Sequence, residues 1–126
     1  MQTNAGRLRD FAARYTAAWC SQEPARVAAF FSPGGSLTIN DGAPATGREA
    51  ITEAARSFMM ELPDLQVVMD DLVVRGDVVE YHWTLSGRGV RISGFEEWRW
   101  DQDGLIASSQ GHFDAADYRR QFAERH

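Results

Sequence analysis

Residues whose chemistry depends on their surroundings cluster in the last third of this chain, and Glu96 is the most informative of them. Residues 92–100 read ISGFEEWRW, and the strand period of two puts Glu96, Trp98 and Trp100 on one face. A carboxylate beside two indoles on a face that needs burial loses its hydration. It must then be protonated, hydrogen-bonded or matched by a ligand. Glu96 is therefore a candidate for an acid of raised pKa that donates to a ligand carbonyl or shuttles a proton. The same residue types also suit a carboxylic acid hydrogen-bonded to Tyr15 or to backbone within a filled core. Glu97 and Arg99 project from the opposite face, as cross-strand or interface charges.

A second cluster is formed by Gln110, His112 and Asp114, which alternation also places on one face. A histidine beside an aspartate can tune or relay a proton, which makes Asp114 a candidate base. Asp114 equally suits the N-cap of a helix beginning at Ala115-Ala116-Asp117. The face assigned from Glu96 turns Ser109, Gly111 and Phe113 inward, so a bulge is needed to bring His112 to the same side. His82 is expected on the outer face. Phe30, Phe58, Tyr81, Trp83, Trp98 and Trp100, with Trp19, either fill a core or line a pocket for a flat, weakly polar molecule.

Other chemistries are disfavoured. No Gly-rich phosphate loop, nucleophile elbow or metal-ligand spacing occurs, so neither a cofactor nor a metal is expected. A formal charge of -5 without a basic cluster argues against nucleic acid. The single cysteine, Cys20, forms no internal disulfide and reads as a small packed residue. No apolar run approaches a membrane span or a signal-peptide core, and a cytoplasmic location follows as the expectation.

The elements that must position these residues are legible from periodicity. Leu8, Phe11, Ala12, Tyr15, Ala18 and Trp19 recur at helical spacing, with Tyr15 on the buried stripe. Pro24 suits the first turn of a second helix that packs Val27, Phe30 and Phe31 inward and stops at residues 32–35. Residues 36–40 read as a short strand and residues 41–47 as a loop. A third helix then buries Ile51, Ala54, Ala55 and Phe58 before Pro63. Four strands follow from Leu65, separated by turns at residues 75–77, 86–89 and 102–104, and residues 115–122 suit a short terminal helix. Length and the absence of a linker predict one domain over residues 1–126.

This α-α-β-α-β-β-β-β order resembles the nuclear-transport-factor-two-like superfamily, which includes ketosteroid isomerase and the SnoaL-like polyketide cyclases. The resemblance rests on Arg14-Tyr15 with Trp19, on Phe30-Phe31, on residues 47–51 (GREAI) and on residues 103–106 (DGLI). It implies an α+β, cystatin-like cone: a curved antiparallel sheet with three helices from the N-terminal half on its concave side. It also implies a homodimer and a small apolar ligand in the cone. By resemblance to ketosteroid isomerase, Tyr15 and Glu96 match the two oxyanion donors. The base position falls near Thr38 or Ile39, which cannot abstract a proton, so Asp41 would have to fold back toward the cavity mouth. SnoaL-like cyclases carry a working aspartate near the end of the last strand, at Asp114 here. Two readings follow: acid–base catalysis of isomerase, cyclase or hydratase type on an apolar ring compound, or a non-catalytic ligand-binding or dimeric module.

Overall fold

The computed structural model describes residues 4–125. Helix α1 (Asn4–Cys20) buries Ala12, Tyr15, Ala18 and Trp19, the stripe its spacing dictates. Helix α2 (Pro24–Ala28) is a single short turn opened by its proline, with Val27 and Ala28 buried. It ends earlier than the pattern suggests, because Phe31 already belongs to strand β1 (Phe31–Ile39). Pro33 and two glycines are tolerated in β1 because its pairing with β6 shifts register between Phe31 and Ser36. Gly35 is needed there: a Cβ would stand 2.9 Å from the Ile106 carbonyl oxygen.

The loop after β1 contains a two-residue strand, β2 (Ala45–Thr46), which pairs with Ser36 and Leu37. Helix α3 (Arg48–Glu61) starts from Gly47 at φ 89 and buries Ile51, Ala55 and Met59. The chain then runs through β3 (Gln66–Arg75), β4 (Val78–Gly87), β5 (Val90–Trp100) and β6 (Ile106–His112) to helix α4 (Ala115–Arg125). Arg88 and Gly89 both take positive φ, 49 and 83, the requirement of a tight hairpin between β4 and β5.

The six strands lie in the order β2-β1-β6-β5-β4-β3 in a curved, unclosed sheet. Every pairing is antiparallel except that of β1 with β6, which is parallel. Helices α1 and α3 pack against β3 and β1, and α4 lies against β5. Strand β5, which carries Glu96, thus has a neighbour on each side and a helical layer above it.

Candidate functional site

Glu96 pairs across the sheet with Tyr81 on β4 and with Gly111 on β6, so its side chain rises between an aromatic wall and a position with no side chain. Three donors converge on one of its oxygens. The Tyr15 hydroxyl from α1 donates to Oε1 at 2.8 Å, the Ser109 hydroxyl from β6 at 2.8 Å, and Trp98 Nε1 at 3.0 Å. None of these bonds reaches Oε2, and Glu96 is among the residues that line the cavity. Burial pushes the Glu96 carboxyl above its ordinary range, and the bonds from Trp98, Ser109 and Tyr15 hold back part of that rise. Burial, reinforced by the charge of Glu96, also lifts the Tyr15 hydroxyl well above its usual value, so Tyr15 remains a donor.

The cavity is small, about 40 Å³, with Trp19, Phe58, Tyr81, Trp83, Glu96 and Phe113 on its walls. That is space for about three waters at ~10–15 Å³ each. Glu96 is the one carboxyl on the wall. The other polar tips are largely spoken for: the Tyr81 hydroxyl shares a 2.5 Å hydrogen bond with Thr16, and the Tyr118 hydroxyl donates to Glu61. Trp83 Nε1 is the exception. Among the described residues it is the one buried side-chain nitrogen or oxygen with no hydrogen-bond partner.

The expected site residues separate into three groups. Trp19, Phe58, Tyr81, Trp83 and Glu96 meet at the cavity. Tyr15, Phe30, Trp98 and Trp100 lie beneath or beside it. Tyr15 is fully buried behind Glu96, Trp98 stacks on Tyr81 at 4.8 Å, and Phe30 wedges between Phe11 and Tyr15. Trp100 follows a register shift at Arg99 and packs on Phe11 at 5.0 Å, toward the α1 side. The Tyr15 hydroxyl is thus spent on Glu96, and the pair does not present two donors side by side as the resemblance to ketosteroid isomerase implied.

Asp41, Gln110, His112 and Asp114 stand outside the cavity, around a separate open groove. Asn40, at φ 51, turns the chain so that Asp41 is exposed after β1 rather than folded back. Asp114 Oδ1 accepts the Asp117 backbone N–H at 2.9 Å, which makes it the cap of α4. Gln110 Nε2 donates to the backbone oxygens of Asn40 and Gly111. From Ser109 onward β6 keeps its alternation, without the bulge that His112 needed; its irregularity lies earlier, between Ile106 and Ser108. His112 faces outward, 2.6 Å from Glu97 Oε1, with its ring stacked on Phe95 at 4.6 Å. His82 stacks on the other side of Phe95 at 5.1 Å, and its Nε2 lies 3.0 Å from Glu80 Oε1.

Ser109 was not singled out from sequence as a partner of Glu96. The signal was present, since alternation from Glu96 turns Ser109 inward, but a serine in an apolar strand carries no chemistry until an acid is placed across from it. No group of three or more His, Cys, Asp or Glu among the described residues is arranged to hold a metal ion. No described helix is long and apolar enough to cross a membrane.

A curved sheet, a helical layer inside it and a carboxyl at the cavity floor define a cone-fold protein with a polar point in an apolar interior. The chain belongs to the SnoaL-like domain family, whose sequence model matches residues 12–109. No curated protein matches it in sequence. Solved structures share the fold at low identity. A hypothetical protein with a ketosteroid isomerase-like fold from Catenulispora acidiphila, in complex with trimethylamine, superposes with a TM-score of 0.81 at 20% identity. That match covers 90% of this chain and 92% of the other. TsrD from Streptomyces laurentii gives 0.79 at 23% identity over 97% and 98% of the two chains. TerC, co-crystallised with polyporic acid, gives 0.78 at 13% identity over 91% and 97%.

Proposed function

We propose that this chain binds a small, uncharged ring compound in the cone and uses Glu96 as the single acid–base group facing it. The observation that carries this reading is that Glu96, the one carboxyl on an otherwise apolar cavity wall, has three donors on Oε1 and none of them on Oε2. A carboxyl that packing alone required would have both oxygens paired inside the core. Burial that favours the protonated form makes Oε2 a proton donor to a ligand oxygen. With Asp41 and Asp114 outside the cavity, chemistry that needs a second carboxylate is not supported. One carboxyl suffices for isomerisation, in which the protonated acid gives its proton to one ligand position and the carboxylate so formed takes a proton from another. The trimethylamine and polyporic acid in the neighbouring structures are small ligands in the same fold, which supports a small molecule here as well.

A ring compound needs more room than 40 Å³. Phe58 and Phe113, half-buried and 6.5 Å apart, are the walls free to give way. The test is a titration with cyclohexanone and, separately, with adenosine triphosphate, read on the tryptophan indole N–H signals. Saturable shifts with the ketone and none with the nucleotide are expected. Tight nucleotide binding, or no response to the ketone, overturns the proposal.

The smallness of the cavity favours a second reading, a module whose cone is essentially filled and whose outer sheet face meets another copy. The His82–Phe95–His112 stack puts a half-buried aromatic among charges on that face, which suits a covered surface. Its second half is compatible with the first reading, since a ligand and a second copy would use opposite faces of the sheet, whereas a filled cone would exclude the ligand.

A further inference from the structure

The cavity has one wall that is fastened differently from the rest. Trp19 comes from α1, which Ala12, Tyr15 and Ala18 anchor in the core, and Phe58 comes from α3, anchored by Ile51, Ala55 and Met59. The wall residue Tyr118 comes from α4, and it is the one buried side chain among the described residues of that helix. An element with so little buried surface belongs to the low-stability end of a structure, where local opening costs far less than unfolding.

What holds α4 down is a set of clasps from Tyr118, Gln121 and Phe122, the i, i+3, i+4 spacing of one helix face. The Tyr118 hydroxyl donates to Glu61 at the end of α3. The Gln121 side chain grips both backbone groups of Arg91, accepting from its N–H at 2.8 Å and donating to its carbonyl oxygen at 2.9 Å. Gln121 stands in for a strand there, because β6 pairs with β5 only from Phe95 to Trp100. The Arg88 guanidinium lies over the Phe122 ring, 5.6 Å from its centre. Glu61, Arg88 and Arg91 are all exposed, so water can replace these contacts when the helix lifts. Ring contacts carry the connection inward: Trp83 to Phe113 at 5.9 Å, Phe113 to Tyr118 at 6.0 Å and Tyr118 to Phe122 at 6.4 Å. Phe113 and Asp114 join β6 to α4 without belonging to either, which is where a hinge would bend.

We propose that α4 is a lid on the cone, which swings about Phe113 and Asp114 to admit a ligand and is latched shut by Tyr118 on Glu61 and by Gln121 on Arg91. Opening withdraws Tyr118, and with it the support behind Phe113, from a cavity whose closed volume of about 40 Å³ is too small for a ring compound. This inference rests on the reading that the cone takes a ligand, but the opening of α4 can be measured without one.

Native-state hydrogen exchange is the test, with the indole N–H of Trp83 as the reporter inside the cone and its signal assigned through the ring contact with Phe113. That N–H is buried and has no hydrogen-bond partner, so its exchange waits on solvent entry rather than on the breaking of a bond. In the unaltered protein the α4 amides and the Trp83 N–H should report the same opening equilibrium, more frequent than that of the α1 and α3 amides. Both should respond only weakly to urea, the mark of an opening that exposes little surface. Tyr118→Phe keeps the ring and removes one latch, so it should speed both by about five- to tenfold, the weight of one hydrogen bond. A Trp83 N–H that exchanges only with the slowest core amides, or that ignores Tyr118→Phe while the α4 amides respond, overturns the lid. So does exchange as fast as that of an exposed indole, which would mean that the cone stands open. A second arm uses cyclohexanone, whose association and dissociation should both quicken in Tyr118→Phe, since a lid gates both directions. A ketone that binds with unchanged rates in the variant sinks the lid and leaves the cavity reading standing. A ketone that does not bind removes the cavity reading, and the lid is then judged on the exchange rates alone. Because the shared opening is measured on the unaltered protein, a poorly folded variant does not shield the inference.

Discussion

Replacing Glu96 with glutamine separates the two forces acting on the carboxyl. The amide oxygen can accept the same three donors as Oε1, at 2.8, 2.8 and 3.0 Å, and the NH2 group takes the place of Oε2. Shape and contacts are thereby kept while the titration is removed. Burial raises the folded-state pKa of Glu96 above its unfolded value, near 4.3 for a glutamate. The folded state therefore binds more protons than the unfolded state between these two values, and stability falls as pH rises through that window. The contribution is fully present below the unfolded pKa and is lost once pH has passed the folded pKa.

Within the window the loss amounts to about 1.4 kcal/mol per pH unit. With a urea m value of about 1–2 kcal/mol per M, the midpoint of the native protein should drop relative to Glu96→Gln by about 0.7–1.4 M per pH unit. The curves should run parallel on both sides of the window. The assay is urea unfolding of both proteins across pH 4 to 9, working range ~5 units, and the difference cancels groups that titrate alike in both. The width of the falling segment reads out the folded pKa. Parallel curves throughout would mean that the three donors cancel the burial. A native protein that gains on the variant as pH rises would mean that they outweigh it, and the reading of Glu96 as a cavity acid would be wrong.

Other perturbations separate the parts of the site. Ser109→Ala removes a donor that holds the Glu96 pKa down, so it should extend the falling window to higher pH and cost about 1–2 kcal/mol at neutral pH, measured by the same unfolding series. Asp114→Ala should cost about 1 kcal/mol through loss of the α4 cap and leave cyclohexanone binding unchanged; a large loss of binding would return Asp114 to the site. Phe95→Asp places a carboxylate between His82 and His112 on the outer face. Sedimentation at tens of micromolar, a range of order ~10 µM suited to ordinary interfaces, should find a dimer in the native protein and a monomer in the variant.

The inner face of the sheet was legible because burial enforces strand period strictly. Glu96, Trp98 and Ser109 follow from one another by alternation and by cross-strand register. The helices were legible for the same reason, down to Tyr15 on the buried stripe. What sequence could not rank was the set of polar residues near the strand ends, where the period stops. Asp41 and Asp114 each sit two residues beyond the end of β1 and β6, and a single backbone angle at Asn40 or one capping bond decides their direction. Strand β1 was shortened in the sequence reading because Pro33 and two glycines look like a turn, and only the register shift against β6 lets them continue the strand.

The resemblance to ketosteroid isomerase bears on how Tyr15 and Glu96 are stacked. It matched Tyr15 and Glu96 correctly as neighbours but implied that both donate to the ligand. The cone interior decides otherwise: Tyr15 is 0% exposed, and its hydroxyl ends on Glu96, with the acid between it and the cavity. On the function proposed above, the polar group offered to a ligand is therefore Glu96 rather than Tyr15. Two proteins with the same fold and the same pair of residues can thus present different atoms to a ligand, because the order in which side chains stack above the sheet decides which of them reaches it.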